Sequence, residues 1–224
     1  MSLLTNGFEG GTAATAITAG NSGGASGDAF NSVSGATYSI THPRETLGAQ
    51  LAAAGATLQW NLAGSVLALR TYLWITGYPS ADFDLIVGKR TFDSSVRLRT
   101  SGLLQVFALD DSGNVSSTTG GIAVPLNQWV RVEARFTRGG ANSVTTAFRL
   151  YSNPDAGATS DAQAITTTGA TAASWSGIAL KWASSSNAWA DDLAASDVDW
   201  IGPKSLAVRP PPLSTAAVHR ASRI

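Results

Sequence analysis

Through residues 129–136 every second side chain is apolar. Val130, Val132, Ala134 and Phe136 fall on one side, and Trp129, Arg131, Glu133 and Arg135 on the other. A period of two is that of a β-strand with one buried face and one wet face. The pattern returns after a short break, with Ala147 and Arg149 set against Phe148 and Leu150. Between the two arms, Arg138-Gly139-Gly140-Ala141-Asn142 offers glycine for positive φ and asparagine for the left-handed region. Residues 126–152 therefore read as a long antiparallel hairpin. Such a hairpin does not stand alone in water, so the rest of the chain must supply a second sheet.

Residues 66–76 (VLALRTYLWIT) are a nearly continuous apolar strand closed by Gly77-Tyr78-Pro79-Ser80. Residues 82–90 alternate, with Phe83, Leu85 and Val87 on one face and Asp82, Asp84 and Ile86 on the other. Residues 96–100 and 103–109 pair about Ser101-Gly102, and the turn at 110–114 leads into a return strand over 114–119. Residues 177–184 and 189–193 give two more strands, and 198–201 a further candidate. At the start, Leu3-Leu4 runs into a turn, and residues 12–37 form a surface loop of small residues with edge strands near 29–33 and 38–41. Residues 45–55 fit either a helical turn or a strand edge. Roughly a dozen short strands without a long helix predict an all-β antiparallel sandwich or barrel.

The pattern stops after Pro203. Residues 1–203 read as one domain and 204–224 as an extended C-terminal arm of polyproline character. The arm carries Lys204, Arg209, Pro210, Pro211, Pro212, Arg220 and Arg223, and no acidic residue.

Composition sharpens this. Charged residues make up 13% of the 224, and basic and acidic residues balance to a net charge of zero. The average charged share is roughly 25%. No net field draws the chain to nucleic acid or to an anionic membrane. A lightly charged surface also guards poorly against self-association. With the basic arm, that points to a homo-oligomer or to other subunits of a larger assembly. The chain has no cysteine, which excludes disulfides, thiolate metal sites and cysteine nucleophiles together. No apolar run approaches the roughly 20 residues of a membrane helix. No secretory signal is visible, so the expectation is a product made in the cytoplasm.

Short motifs add a resemblance. Gln128-Trp129-Val130-Arg131-Val132 and Phe148-Arg149-Leu150-Tyr151 resemble the paired strands of the concanavalin A-like and laminin-G jelly rolls. Asn6-Gly7-Phe8-Glu9-Gly10-Gly11 and Trp189-Ala190-Asp191-Asp192-Leu193 resemble the opening and closing segments of jelly-roll carbohydrate-binding modules. The Gly/Ala/Thr-rich style and the absence of a signal peptide resemble stand-alone jelly-roll virion proteins of actinobacterial phages. The implied fold is an antiparallel jelly-roll β-sandwich. The implied setting is a phage particle, as capsid decoration or minor tail protein, with an extracellular location as the alternative.

Four kinds of site follow. The resemblance to the binding modules implies a structural calcium ion joining the two ends of the chain, with Glu9 and Asp192 as ligands and Asp28 as a third acid. Seven tryptophans are many for this length. Trp175, Trp182 and Trp189 lie in a Ser/Asn/Ala-rich stretch and are the expected exposed platform for a glycan, whereas Trp74 and Trp129 are expected to be structural. Catalysis finds little support. The three glutamates are Glu9, Glu45 and Glu133, and none lies in the E-x-D-x-E run of jelly-roll glycosidases. Asp82 with Asp84, and Asp197 with Asp199, place two acids on one strand face without that motif. The two histidines are His42, in a loop, and His219, in the arm. The fourth site is the arm, read as the assembly element. The sequence thus predicts a non-enzymatic structural protein of a virion, and in second place a carbohydrate-binding module.

Overall fold

The computed structural model describes residues 2–51, 55–110, 112–140, 142–169, 174–184 and 186–204. In chain order the strands begin with β1 (Leu3–Asn6), β2 (Ser32–Ser34), β3 (Thr37–Ser39), β4 (Gly48–Leu51) and β5 (Ala56–Trp60). They continue with β6 (Val66–Ile75), β7 (Phe83–Lys89), β8 (Ser94–Leu98), β9 (Leu103–Leu109) and β10 (Val115–Ala123). The last five are β11 (Trp129–Arg138), β12 (Ser143–Tyr151), β13 (Asp161–Thr168), β14 (Gly177–Trp182) and β15 (Ala188–Ser196). One sheet runs β13-β12-β11-β6-β15-β4-β3, with β1 also paired to β15; the other runs β10-β9-β8-β7-β14-β5-β2. All the strand pairs are antiparallel, so the chain is the all-β sandwich that its alternation predicts.

The core fills the space between the sheets from alternate positions. β11 contributes Val130, Val132, Ala134 and Phe136, all with no exposed surface, and β14 faces them with Ile178, Leu180 and Trp182. Phe136 shows how closely the sheets approach. A Cβ on Gly88 of β7 would lie 2.7 Å from the Phe136 ring, so only glycine fits opposite it. The stretch before β2 is more than a surface loop. Phe30 stacks on Phe8 at 6.0 Å and tilts on Trp60 at 4.6 Å, which plugs one end of the core.

Two bulges change side-chain parity. Between Asp84 and Ile86 of β7, two steps pass while β8 advances one, from Arg97 to Val96. The extra residue turns Ile86, rather than Val87, into the core beside Phe83 and Leu85, which corrects the simple alternation. In β15, three steps from Asp191 to Ala194 match two on β6, from Tyr72 to Arg70. Ala188 and Ala190 face the core before this bulge, and Leu193 and Ala195 after it. Asp191 and Asp192 both lie within it, and Asp192 takes a left-handed φ of 48°.

The expected edge strands shorten to β2 and β3, residues 198–201 are not a strand, and the ambiguous segment 45–55 contributes β4. β13 was not expected from the sequence. Of the expected arm, Arg209, Pro210, Pro211, Pro212, Arg220 and Arg223 lie outside the described residues, while Lys204 is held against the domain.

Candidate functional site

On the larger sheet, the positions between core residues point away from the second sheet and register in rows. Trp129 lies opposite Trp74, and Trp74 opposite Trp189. The next row is Tyr151, Arg131, Tyr72 and Asp191. Beyond it come Arg149, Glu133 and Arg70, and then Ala147, Arg135 and Ala68. Five arginines reach this face: Arg44 from a loop, and Arg70, Arg131, Arg135 and Arg149 from strands.

Three loops roof its centre. The first lays His42 parallel to Trp74, with ring centroids 4.3 Å apart at 15°, and edge-on to Trp189 at 4.7 Å. It also places the Arg44 guanidinium 3.5 Å from the Tyr72 ring centroid. The second offers the carbonyls of Pro154 and Ala156 to Arg131; the Ala156 oxygen accepts from Nη2 at 2.9 Å. The third brings Gly202, whose carbonyl accepts from Arg70 Nη1 at 3.1 Å, and Lys204, whose backbone N–H donates to the Tyr72 hydroxyl at 2.8 Å. Arg131 and Glu133, expected on a wet face, are therefore 0% and 1% exposed. Their alternation places them on this face, and the roof leaves no mark in it.

The electrostatics follow from this burial. Asp191 Oδ2 accepts the Arg44 N–H at 2.9 Å, and its Oδ1 accepts the Asp192 N–H at 2.7 Å. Burial, and then the charge of Asp192 beside it, push Asp191 up to about 7. Burial opposes the charged form of Lys204, but its contacts with Asp192 and Glu45 outweigh that and raise its pKa. Lys204 Nζ lies 2.5 Å from Asp192 Oδ1 and 2.7 Å from Glu45 Oε1.

The expected calcium ligands meet only in part. Glu9 and Asp192 line one cavity of about 390 Å³ with Glu45, Arg70 and Lys204, and Asp28 is not in its lining. Asp28 instead accepts the Thr5 N–H at 2.8 Å. Glu9 accepts the N–H groups of Thr46 and Leu47 at 3.1 and 3.3 Å and bonds the Thr46 hydroxyl. Asp192 is taken by Lys204, with Arg44 Nη1 a further 3.7 Å away. A divalent cation there would face three cationic side chains, so this donor set does not fit calcium. Among the described residues no group of three or more His, Cys, Asp or Glu side chains is arranged to hold a metal ion. The ammonium of Lys204 supplies the positive charge between the acids.

The expected tryptophan platform is also corrected. Trp175 and Trp182 are core residues with 1% and 0% exposure. Trp189 does lie on the outward face, but His42 covers it and 5% remains exposed. The indoles left half-buried are Trp74, Trp129 and Trp200. Trp74 and Trp129 meet edge to face at 6.0 Å, and Trp74 Nε1 finds no acceptor among the described residues. The Trp200 ring contacts two guanidinium groups, that of Arg149 4.1 Å from its centroid and that of Arg135 4.9 Å away. The odd-numbered parity of β11 announced the side on which Trp129 and Arg135 lie. Trp200 falls in the candidate strand 198–201, which the structure shows as an irregular segment after β15, so alternation does not give its side. The carboxylate pairs of the sequence have ordinary partners: Asp84 pairs with Arg97, Asp82 with Arg99 and Asp199 with Arg135, and Asp197 accepts the Ser2 N–H at 2.7 Å.

The sequence matches no family model and no curated protein. The fold does have counterparts among solved structures. An endo-β-1,4-glucuronan lyase from the fungus Trichoderma reesei superposes with a TM-score of 0.57 at 8% identity, over 76% of this chain and 93% of the lyase. A PL-14 alginate lyase from Aplysia kurodai gives 0.56 at 10% identity, over 86% of this chain and 98% of that one. The receptor-binding domain of botulinum neurotoxin type G gives 0.55 at 10% identity, over 86% of this chain and 46% of that one. At these identities the likeness shows the fold alone, an antiparallel β-sandwich shared by polysaccharide lyases and a receptor-binding domain. The expectation that the chain is not an enzyme is overturned, because lyases carry this architecture and fold does not fix function. A place in a virion finds no counterpart among the three.

Proposed function

We propose that the protein binds glycans on the outward face of its larger sheet. One observation carries this reading. Of the seven tryptophans, Trp60, Trp175, Trp182 and Trp189 are buried, and the three left half-buried, Trp74, Trp129 and Trp200, all lie on that one face. An indole left in water forfeits the stabilisation of burial, so its segregation to one surface calls for a ligand with apolar ring faces and polar edges. Sugars have both. Trp129 and Arg135 stand six positions apart on β11, about 20 Å at the strand rise, so the face accommodates several sugar rings in line. The glucuronan and alginate lyases that share the fold act on polysaccharides, and that agrees with the reading.

The test is retention on a glycan array carrying neutral glucans, polygalacturonate and sialylated oligosaccharides. W129A and W200A are expected to lose binding at least about tenfold, the loss of ~1.4 kcal/mol of contact, while keeping a wild-type circular dichroism spectrum. If both variants bind as the wild type does, this face is not the site.

A further inference from the structure

The five arginines of the outward face are not alike. Arg131 is tied to Glu133 and to two loop carbonyls, Arg70 to the carbonyls of Asp192 and Gly202, and Arg44 to Asp155. All three are committed to holding the roof in place. Arg149, half-buried on β12, makes no hydrogen bond or ion pair among the described residues; its contact is the Trp200 ring, 4.1 Å from its guanidinium carbon. A guanidinium stacked on an indole is fixed in plane, with its N–H edge left for a ligand.

The surroundings leave room for one. Arg149 faces Ala162 of β13, and its diagonal neighbour Arg135 faces Ala147, which in turn faces Ala164. Ala147 leaves one corner between the two basic side chains open, and the other corner is Glu133, which is 1% exposed and paired with Arg131. Arg135 holds Asp199 at 2.7 Å, but the Asp199 side chain is 67% exposed. Such a surface pair is weak, and a second carboxylate can displace it. The chain's net charge is zero, so this patch attracts anions locally rather than as part of a general basic field.

We infer that Arg149, with Arg135 beside it and Trp200 holding it, forms a subsite for the carboxylate of an acidic sugar. The inference rests on the glycan-binding reading and narrows its ligand to carboxylated glycans, uronic or sialic acids. Arg149 takes the carboxylate through two parallel N–H donors, as the planar fork of arginine favours.

The experiment uses the full chain and the same array. The wild type is expected to bind the polygalacturonate or the sialylated spots at least about tenfold more tightly than the neutral glucans, and R149Q to lose that preference with an unchanged melting temperature. Which acidic spots respond separates uronates from sialic acids. Equal binding of neutral and acidic glycans, or R149Q behaving as the wild type, overturns the subsite and leaves the glycan reading standing. Binding to none of the glycans overturns both.

Discussion

Arg131 Nε lies 2.9 Å from Glu133 Oε1, and each side chain is 1% exposed, although both project from the sheet face turned away from the core. The contact is ionic without the alignment of a hydrogen bond, and neither Glu133 oxygen has a hydrogen-bond partner among the described residues. Two charges so placed are interdependent. R131M removes the one ion-pair partner of the buried glutamate among the described residues and leaves only the more distant charges of its neighbours Arg70 and Arg149, an expected loss of about 3 kcal/mol in unfolding free energy. R131M/E133L removes both charges and is expected to lie closer to the wild type than R131M does. Urea unfolding of the wild type, R131M, E133L and the double variant gives the coupling energy. A coupling near zero would mean that the roof loops, rather than the pair, hold Arg131.

This pair also shows what the sequence conveys. The alternation from Trp129 to Phe136 assigns every side chain to its correct face, because strand geometry alone sets that period. It says nothing of what lies over the outward face. The roof comes from His42 to Arg44, from Pro154 to Ala156 and from Gly202 to Lys204, segments distant in the chain and without periodicity. The bulges at Asp84 and Asp191 are equally silent, since one extra residue leaves the composition unchanged while reversing all that follows. β13 is built mainly of alanine and threonine, with Ile165 its one large apolar residue, so its sequence does not announce a strand. Of the candidate site, the row of Trp129 and Arg135 was legible. Trp200 was not, and the tryptophan-rich C-terminal stretch misled because two of its indoles turn inward.

Asp191 gives a pH dependence with a definite sign. Its folded-state pKa of about 7 stands above the ordinary carboxylate value of 3.8, so the folded chain holds this proton more tightly than the unfolded one. Its contribution to stability is full below the lower value and is lost as pH rises through the upper one. The melting temperature of the wild type is therefore expected to fall as pH rises from about 4 to about 7, and that of D191N to fall less. Asparagine keeps one acceptor for the Arg44 and Asp192 N–H groups while removing the charge. Parallel curves for the two proteins across that range would assign the dependence to other groups.

Lys204 separates two accounts of the seam where the first strand meets the last. β1 pairs with β15 from Leu3↔Ser196 to Asn6↔Leu193, and the Lys204 ammonium lies just beyond, between Asp192 and Glu45. If a metal ion joined the ends, a chelator would lower the melting temperature. With Lys204 as the cation, EDTA and added calcium are both expected to leave it unchanged. K204M, in contrast, strips the partner from an Asp192 side chain only 3% exposed, and the expected loss is roughly 1–3 kcal/mol, since Arg44 at 3.7 Å still screens part of the charge. Differential scanning calorimetry of both proteins, with and without EDTA, gives the answer. A fall of several degrees on chelation of the wild type would return Glu9 and Asp192 to the role of metal ligands. A K204M variant as stable as the wild type would show that the ammonium rests on the seam without closing it.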